Sequence, residues 1–273
     1  PEKIFLPISL PGTVLGPLRD DIRRYTGMDI RVLLAASHDT ASAFLAVPAK
    51  DDSAVFLSSG TWSLLGVENK EPITNEASRN ANFTNEGGYE YRYRYLKNIM
   101  GLWMIQSVRR ELADENGKMP GFPDLIQKAR EASDFPSLLD VDDNRFLAPD
   151  SMIEEVRKAC RETSQKVPEN TGEIMQVLYN SLSEDYRQTI RVLEELTGKQ
   201  YTSINIVGGG SQDMYLNQMT ADATGLTVCA GPTEGTALGN LLVQMIASKE
   251  IDNLAEARQI IRESFEIKEV KPQ

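Results

Sequence analysis

"SINIVGGGSQDMYLNQMTADATGLTVC", residues 203–229, sets the fold class. An apolar run of strand length, Ser203 to Val207, enters three successive glycines; a helical stretch to Ala223 follows, Gly225 stops it, and a second apolar run covers Leu226 to Cys229. A further helix is expected from about Glu234 to Ser248. Strands and helices alternating in this way call for a sheet covered by helices, an α/β fold.

Working upstream, Ile174, Leu178, Leu182, Tyr186, Ile190 and Leu193 recur on one face of a helix expected over 171–197, with Gly198 as its stop. Residues 113–150 hold four of the thirteen prolines and many acids, so they read as a loop-rich insertion with one or two short helices. A helix is expected from about Asn98 to Leu112. Before it, "AVFLSSGTWSLLGVEN" (54–69) reads as two strands joined at "SSGT", and "NFTNEGGYEYRYRYLKN" (82–98) as a strand or hairpin with a glycine turn. The chain is antiparallel there. Further upstream, "PLRDDIRRYTGMDIRVLLAASHDTASAFLAV" (17–47) gives a helix stopped at Gly27, a short strand, a turn and a second helix, a loose echo of the strand-turn-helix near 203.

A chain of 273 residues has room for one large domain or two smaller ones. Its formal charge of −11 argues against a general electrostatic attraction to nucleic acid or to an anionic membrane. No apolar stretch approaches the roughly 20 residues needed to span a bilayer, and the opening "PEKIFLPISLPG" lacks a basic segment followed by an apolar core, so a cytoplasmic location is expected. Because residue 1 is proline rather than an initiator methionine, trimming or processing is expected too. Cys160 and Cys229 stand far apart, without a CxxC or a neighbouring histidine. Reduced thiols are expected, with neither a zinc site nor a disulfide framework.

Three short stretches could carry chemistry. Gly208, Gly209 and Gly210, between a strand and a helix, leave backbone N–H groups free for phosphate or the face of a nucleoside, or form a tight structural turn. In "SSGTWS", Gly60 admits close backbone approach and Ser59 and Thr61 supply hydroxyls for phosphate oxygens, or the stretch is simply a β-turn. Neither matches GxxxxGK[ST], and no GxGxxG follows a strand, so P-loop and dinucleotide folds are disfavoured. The only histidine, His38, precedes Asp39 at the end of a strand. Asp39 either caps the helix that follows or receives the proton of an attacking hydroxyl in a phosphoryl transfer, and the two roles are compatible.

The succession "PGTVLGPL" (11–18), "SHDTASA" (37–43), "LSSGTWSLLGVE" (57–68), "NFTNEGG" (82–88), "RYLKNIMGLWMIQSVRREL" (94–112), "NRFLAP" (144–149), "INIVGGGSQDMYLNQMTADATG" (204–225) and "GPTEGTALGN" (231–240) resembles the carboxy-terminal part of the FGGY carbohydrate kinases. The resemblance covers nearly the whole chain and implies an actin-like ATPase (RNase H-like) fold, a mixed sheet flanked by helices. It implies essentially one of that fold's two domains: residues 1–48 the end of the amino-terminal sugar-binding domain, and 49–273 the carboxy-terminal nucleotide-binding domain. Most of the amino-terminal domain would then be missing, and this stretch alone would be poorly active.

By the same resemblance the activity is transfer of the ATP γ-phosphate to the C1 hydroxyl of a ketose, with ATP and Mg²⁺ as cofactors. L-rhamnulose is the first candidate acceptor, with L-fuculose or D-xylulose as alternatives and a non-catalytic nucleotide-binding module as the reading from another class. Asp39 would be the general base, His38 and Thr40 would lie beside the ketose, and Asn98 would contact sugar. Thr61 would contact ATP phosphates, Gln106 the nucleotide, and Gly208 to Gly210 would receive the nucleotide with Gly209 central. No residue is assigned to a metal, and the partners are the ketose, ATP and the remaining domain, with no nucleic acid and no membrane.

Overall fold

The computed structural model describes residues 2–273. A two-stranded antiparallel ribbon, β1 (Val14–Pro17) with β2 (Arg31–Leu33), brackets the short helix α1 (Asp20–Thr26), which Gly27 ends in a left-handed conformation (φ 71°). Helix α2 (Asp39–Leu45) follows, buried from Thr40 onward. The main sheet then begins with β3 (Ala54–Ser59) and β4 (Trp62–Asn69), and continues after helix α3 (Glu76–Asn80) with β5 (Thr84–Gly87) and β6 (Tyr93–Met100). Helices α4 (Trp103–Glu111), α5 (Phe122–Glu131), α6 (Met152–Glu162) and α7 (Thr171–Thr197) come next. The chain closes with β7 (Ser203–Val207), α8 (Met214–Thr224), β8 (Thr227–Ala230), α9 (Gly235–Ala247), α10 (Leu254–Ser264) and β9 (Lys268–Val270).

The seven strands lie in the order β5-β6-β4-β3-β7-β8-β9. β3, β4, β6 and β5 form the antiparallel part expected from the closely spaced strands, while β3, β7 and β8 are parallel, which their crossover connections through helices allow. β9 adds an antiparallel edge beside β8. The sheet is therefore mixed.

One face of the sheet carries the main core. Leu178, Tyr179, Leu182 and Tyr186 of α7 pack with Leu57, Leu65 and Ile99 from three strands, every one of them nearly inaccessible to solvent. Complete burial of a side chain of this size contributes about 1.5–3 kcal/mol, so this single helix face anchors the sheet. On the opposite face, α2 and the residues just after it place Ala43, Phe44 and Val47 over Phe56, Leu96 and Val207, and α9 and α10 close the layer with Leu242, Ala257 and Ile261.

The helix expected from Asn98 starts instead at Trp103, because Asn98 to Met100 complete the ladder of β6 with β4. Gly101 then breaks the strand: a Cβ there would stand 2.6 Å from the Ser63 nitrogen. Helices α3, α6 and α10 and strand β9 were not anticipated from the sequence. The insertion holds one α-helix, α5, and a short 3₁₀ turn at Asn144–Phe146. It is tied to the sheet by Lys97, whose ammonium lies 2.7 Å from Asp142 of the insertion and 3.6 Å from Asp185 of α7. Both thiols are free, Cys160 buried and Cys229 half-buried. Among the described residues no helix is long and apolar enough to cross a membrane.

Candidate active site

An open cleft of about 750 Å³ lies where the carboxyl ends of β3 and β7 meet the amino end of α2. Its lining gathers His38, Asp39, Thr40, Thr61, Asn98, Gly208 and Gly209. These residues come from stretches up to 171 positions apart, and only the sheet order brings them together. Gln106, half-buried on α4, and Gly210, buried beneath the turn, are outside that lining.

Asp39 occupies the first helical position of α2, and the cap is its neighbour. His38 takes the extended backbone of an N-cap (φ −138°, ψ 140°) and its Nδ1 accepts the Thr40 amide at 3.2 Å. The capping task is therefore done by histidine. The bond requires Nδ1 to be the unprotonated ring nitrogen, which leaves Nε2 as the N–H. Asp39 is exposed, and it is tied to α9 through its backbone: Thr236 Oγ1 donates to the Asp39 carbonyl at 3.2 Å. Its carboxylate faces the cleft without serving as the cap.

Helix α9 reaches α2 by virtue of one glycine. A Cβ on Gly239 would clash with the Ser42 carbonyl oxygen and force the helices apart, so the glycine in "GTALGN" lets the backbones of α9 and α2 meet.

The two turns that flank Asp39 pack on each other. Gly208 adopts φ 89°, and a Cβ there would lie 2.7 Å from the Ser59 carbonyl; one on Gly210 would lie 2.0 Å from Ser59 Oγ. Gly209 has open space in front of it. Outer and inner glycines thus admit β3, and the central one leaves its backbone accessible to a ligand. Asp213 locks the far end of the turn, since its Oδ1 accepts the Tyr215 and Leu216 amides at 3.1 Å each and its Oδ2 accepts the buried Tyr179 hydroxyl at 2.8 Å. Burial, aided by the Asp213 charge, pushes the Tyr179 phenol well above its ordinary pKa, so it stays a donor.

The "SSGT" turn is held from two sides. The Leu102 and Trp103 amides at the start of α4 donate to the Gly60 and Thr61 carbonyls at 3.1 Å each. Beneath it the fully buried Tyr186 hydroxyl and Ser63 Oγ stand 2.6 Å apart, with burial raising the phenol's pKa. Thr61 is left exposed at the tip, facing the cleft.

The cleft also includes residues that pattern alone had not singled out: Ser58, Trp62, Leu64, Glu86 and Thr236. Thr236 sits within the quoted "GPTEGTALGN", and Glu86 within "NFTNEGG", so both motifs had flagged their neighbourhood without identifying the residue. An exposed carboxylate, two hydroxyl-bearing turns and an accessible glycine backbone in one cleft can accept a proton from a hydroxyl while donating hydrogen bonds to phosphoryl oxygens.

The profile of the FGGY family of carbohydrate kinases, C-terminal domain, matches residues 55–248. The rhamnulokinase of Oceanobacillus iheyensis is 48% identical over 266 residues, covering 97% of this chain and 55% of that protein. The rhamnulokinase of Bacillus subtilis is 43% identical over 99% of this chain and 55% of its own length. This chain thus spans about half the length of the curated relatives it matches. Among solved structures, gluconate kinase from Lactobacillus acidophilus superposes with a TM-score of 0.69 at 16% identity, covering 97% of this chain and 52% of that one. Xylulose kinase from Rhodospirillum rubrum gives 0.67 at 16% identity, over 98% and 52%. The fold is that of these actin-like kinases.

Proposed function

This chain belongs to the FGGY family of carbohydrate kinases, and from that membership we propose that the protein carrying it transfers the γ-phosphate of ATP to the C1 hydroxyl of L-rhamnulose, giving L-rhamnulose 1-phosphate. The observation that carries this is the convergence of Asp39, Thr61 and Gly209 on one cleft, in a chain 40–48% identical to named rhamnulokinases.

In this mechanism the ATP phosphates lie against the Gly208–Gly210 turn and Thr61, with Gly209 offering its backbone and Gln106 reached from α4. The ketose lies beside His38, Thr40 and Asn98. Its C1 hydroxyl donates to the Asp39 carboxylate. As O1 closes on the γ-phosphorus the proton passes to Asp39, the bond from phosphorus to the bridging oxygen breaks, and ADP leaves with that electron pair. Backbone donors at the glycine turn offset charge on the phosphoryl oxygens, and positioning supplies most of the rate. With Nδ1 of His38 accepting the Thr40 amide, Nε2 is left to donate, which suits a sugar oxygen.

Magnesium accompanies ATP in this chemistry and is held largely by phosphate oxygens and water. Among the described residues no group of three His, Cys, Asp or Glu side chains stands close enough to hold a metal ion.

A substrate panel tests the proposal. In the polypeptide that carries this sequence in the cell, ketose-dependent ADP release with L-rhamnulose, L-fuculose and D-xylulose is expected to favour L-rhamnulose by about 100-fold in kcat/KM. A preference for either alternative would move the acceptor. Absence of ketose-dependent turnover with all three would refute the kinase and favour a nucleotide-binding module.

A further inference from the structure

The motif "NFTNEGG" has no role in the mechanism above, yet it places a carboxylate in the cleft. Strand β5 is the sheet edge, and its Glu86 pairs with Arg94 of β6, whose other cross-strand partner is Glu68 of β4. Arg94 is 4% exposed. Its Nη1 forms an ion pair 2.9 Å from Glu86 Oε2 and its Nη2 donates to the Gly87 carbonyl at 3.0 Å, while neither Nε nor Nη1 has a hydrogen-bond acceptor. Glu68 is engaged elsewhere: its Oε2 accepts Arg258 Nη2 at 2.8 Å, and the same nitrogen donates to the Phe44 carbonyl near the end of α2 at 3.0 Å.

An arginine buried with unpartnered nitrogens is costly, and its counter-ion is not sealed off with it: the Glu86 side chain is 27% exposed and lines the same cleft as Asp39 and Asn98. A carboxylate fixed by a buried guanidinium keeps lone pairs for other donors and has no hydrogen to give. It accepts hydroxyl hydrogens and repels anions. We propose that Glu86, held by Arg94, is a specificity residue of the cleft that accepts hydrogen bonds from hydroxyls of a neutral polyhydroxy ligand and disfavours its acidic analogues.

The inference rests on the reading of the cleft as a ketose site. In the polypeptide that carries this sequence in the cell, Glu86→Gln is expected to raise KM for the ketose at least about 10-fold, with KM for ATP within about twofold, because only the sugar meets this residue. A folded Glu86→Gln protein with ketose KM within about twofold of wild type would overturn it, as would an equal rise in KM for ATP. Should Glu86→Gln fail to fold for want of an ion pair, the double variant Glu86→Met/Arg94→Met removes both charges at once and is expected to fold with the same sugar-specific loss. Retention of the wild-type ketose KM by that double variant would also overturn the inference. A wild type that turns over ketose beside an unaffected Glu86→Gln sinks this inference alone; a wild type without ketose-dependent turnover sinks the kinase reading and this inference with it.

Discussion

One face of the main sheet is covered by α7 and α8, the other by α2, α9 and α10, and the two are held by different physics. Behind the sheet, large side chains such as Leu178, Leu182 and Tyr186 are fully buried in a continuous apolar layer. On the cleft side the apolar clusters are smaller, helix backbones touch through Gly239, and buried charges such as Arg94 and the Arg258–Glu68 pair do part of the holding. Area burial fixes the sheet. Close backbone contact and directed polar bonds fix where Asp39 and the two turns stand on it, so damage to the two faces should differ in kind.

The largest effect on stability is expected behind the sheet. Leu178→Ala removes a fully buried side chain and should cost about 2–5 kcal/mol in denaturant unfolding, while ADP affinity of the folded protein, measured by titration, stays within about twofold. A loss of ADP affinity beyond the unfolded fraction would break the division between the faces. Gly239→Ala should do the reverse. Forcing α9 off Ser42 is expected to cost a smaller 1–3 kcal/mol or so, but to lower kcat about 10-fold by moving Asp39; unchanged kcat would show that the α2–α9 contact does not position the base.

A smaller effect is expected from Asp185 of α7. Burial, opposed by Lys97, holds its pKa at about 6 against an ordinary 3.8. Burial also presses on Lys97, but Asp185 and Asp142 outweigh it and keep the ammonium above the usual lysine range. For a carboxyl raised in this way the folded state keeps its proton longer than the unfolded chain. Its contribution is present at low pH and declines as pH rises from about 4 to 6. Unfolding free energies measured from pH 4 to 7 should therefore fall by about 1–3 kcal/mol in wild type, a fall that Asp185→Asn flattens. Parallel profiles would contradict that.

Much of the back face was legible because its pattern is long. The 27-residue α7 begins and ends where the six-residue apolar stripe and Gly198 put it. Asn98 to Met100 were misread as helix because "NIMGLWMI" is apolar under either period, and pairing with β4 decides for strand. Helices α6 and α10 did carry a signal: Ser151 accepts the Glu154 amide and Asn253 the Glu256 amide, at 3.1 Å each, in the S/N-x-x-E spacing of an N-terminus. In the cleft, the glycine turns and the strand end before Asp39 could be read as candidates. Which group caps α2, which glycine stays open, and the entry of Glu86 depend on contacts between residues far apart in sequence, and only the sheet supplies those.

Asp39→Asn tests the proposed chemistry most directly, with ketose phosphorylation and ADP affinity measured on the same preparation of the polypeptide that carries this sequence in the cell. A base needed only in the transfer step predicts kcat lower by about 10³-fold with ADP affinity within about threefold of wild type. Turnover surviving within about tenfold, or affinity and turnover falling together, would contradict Asp39 as that base.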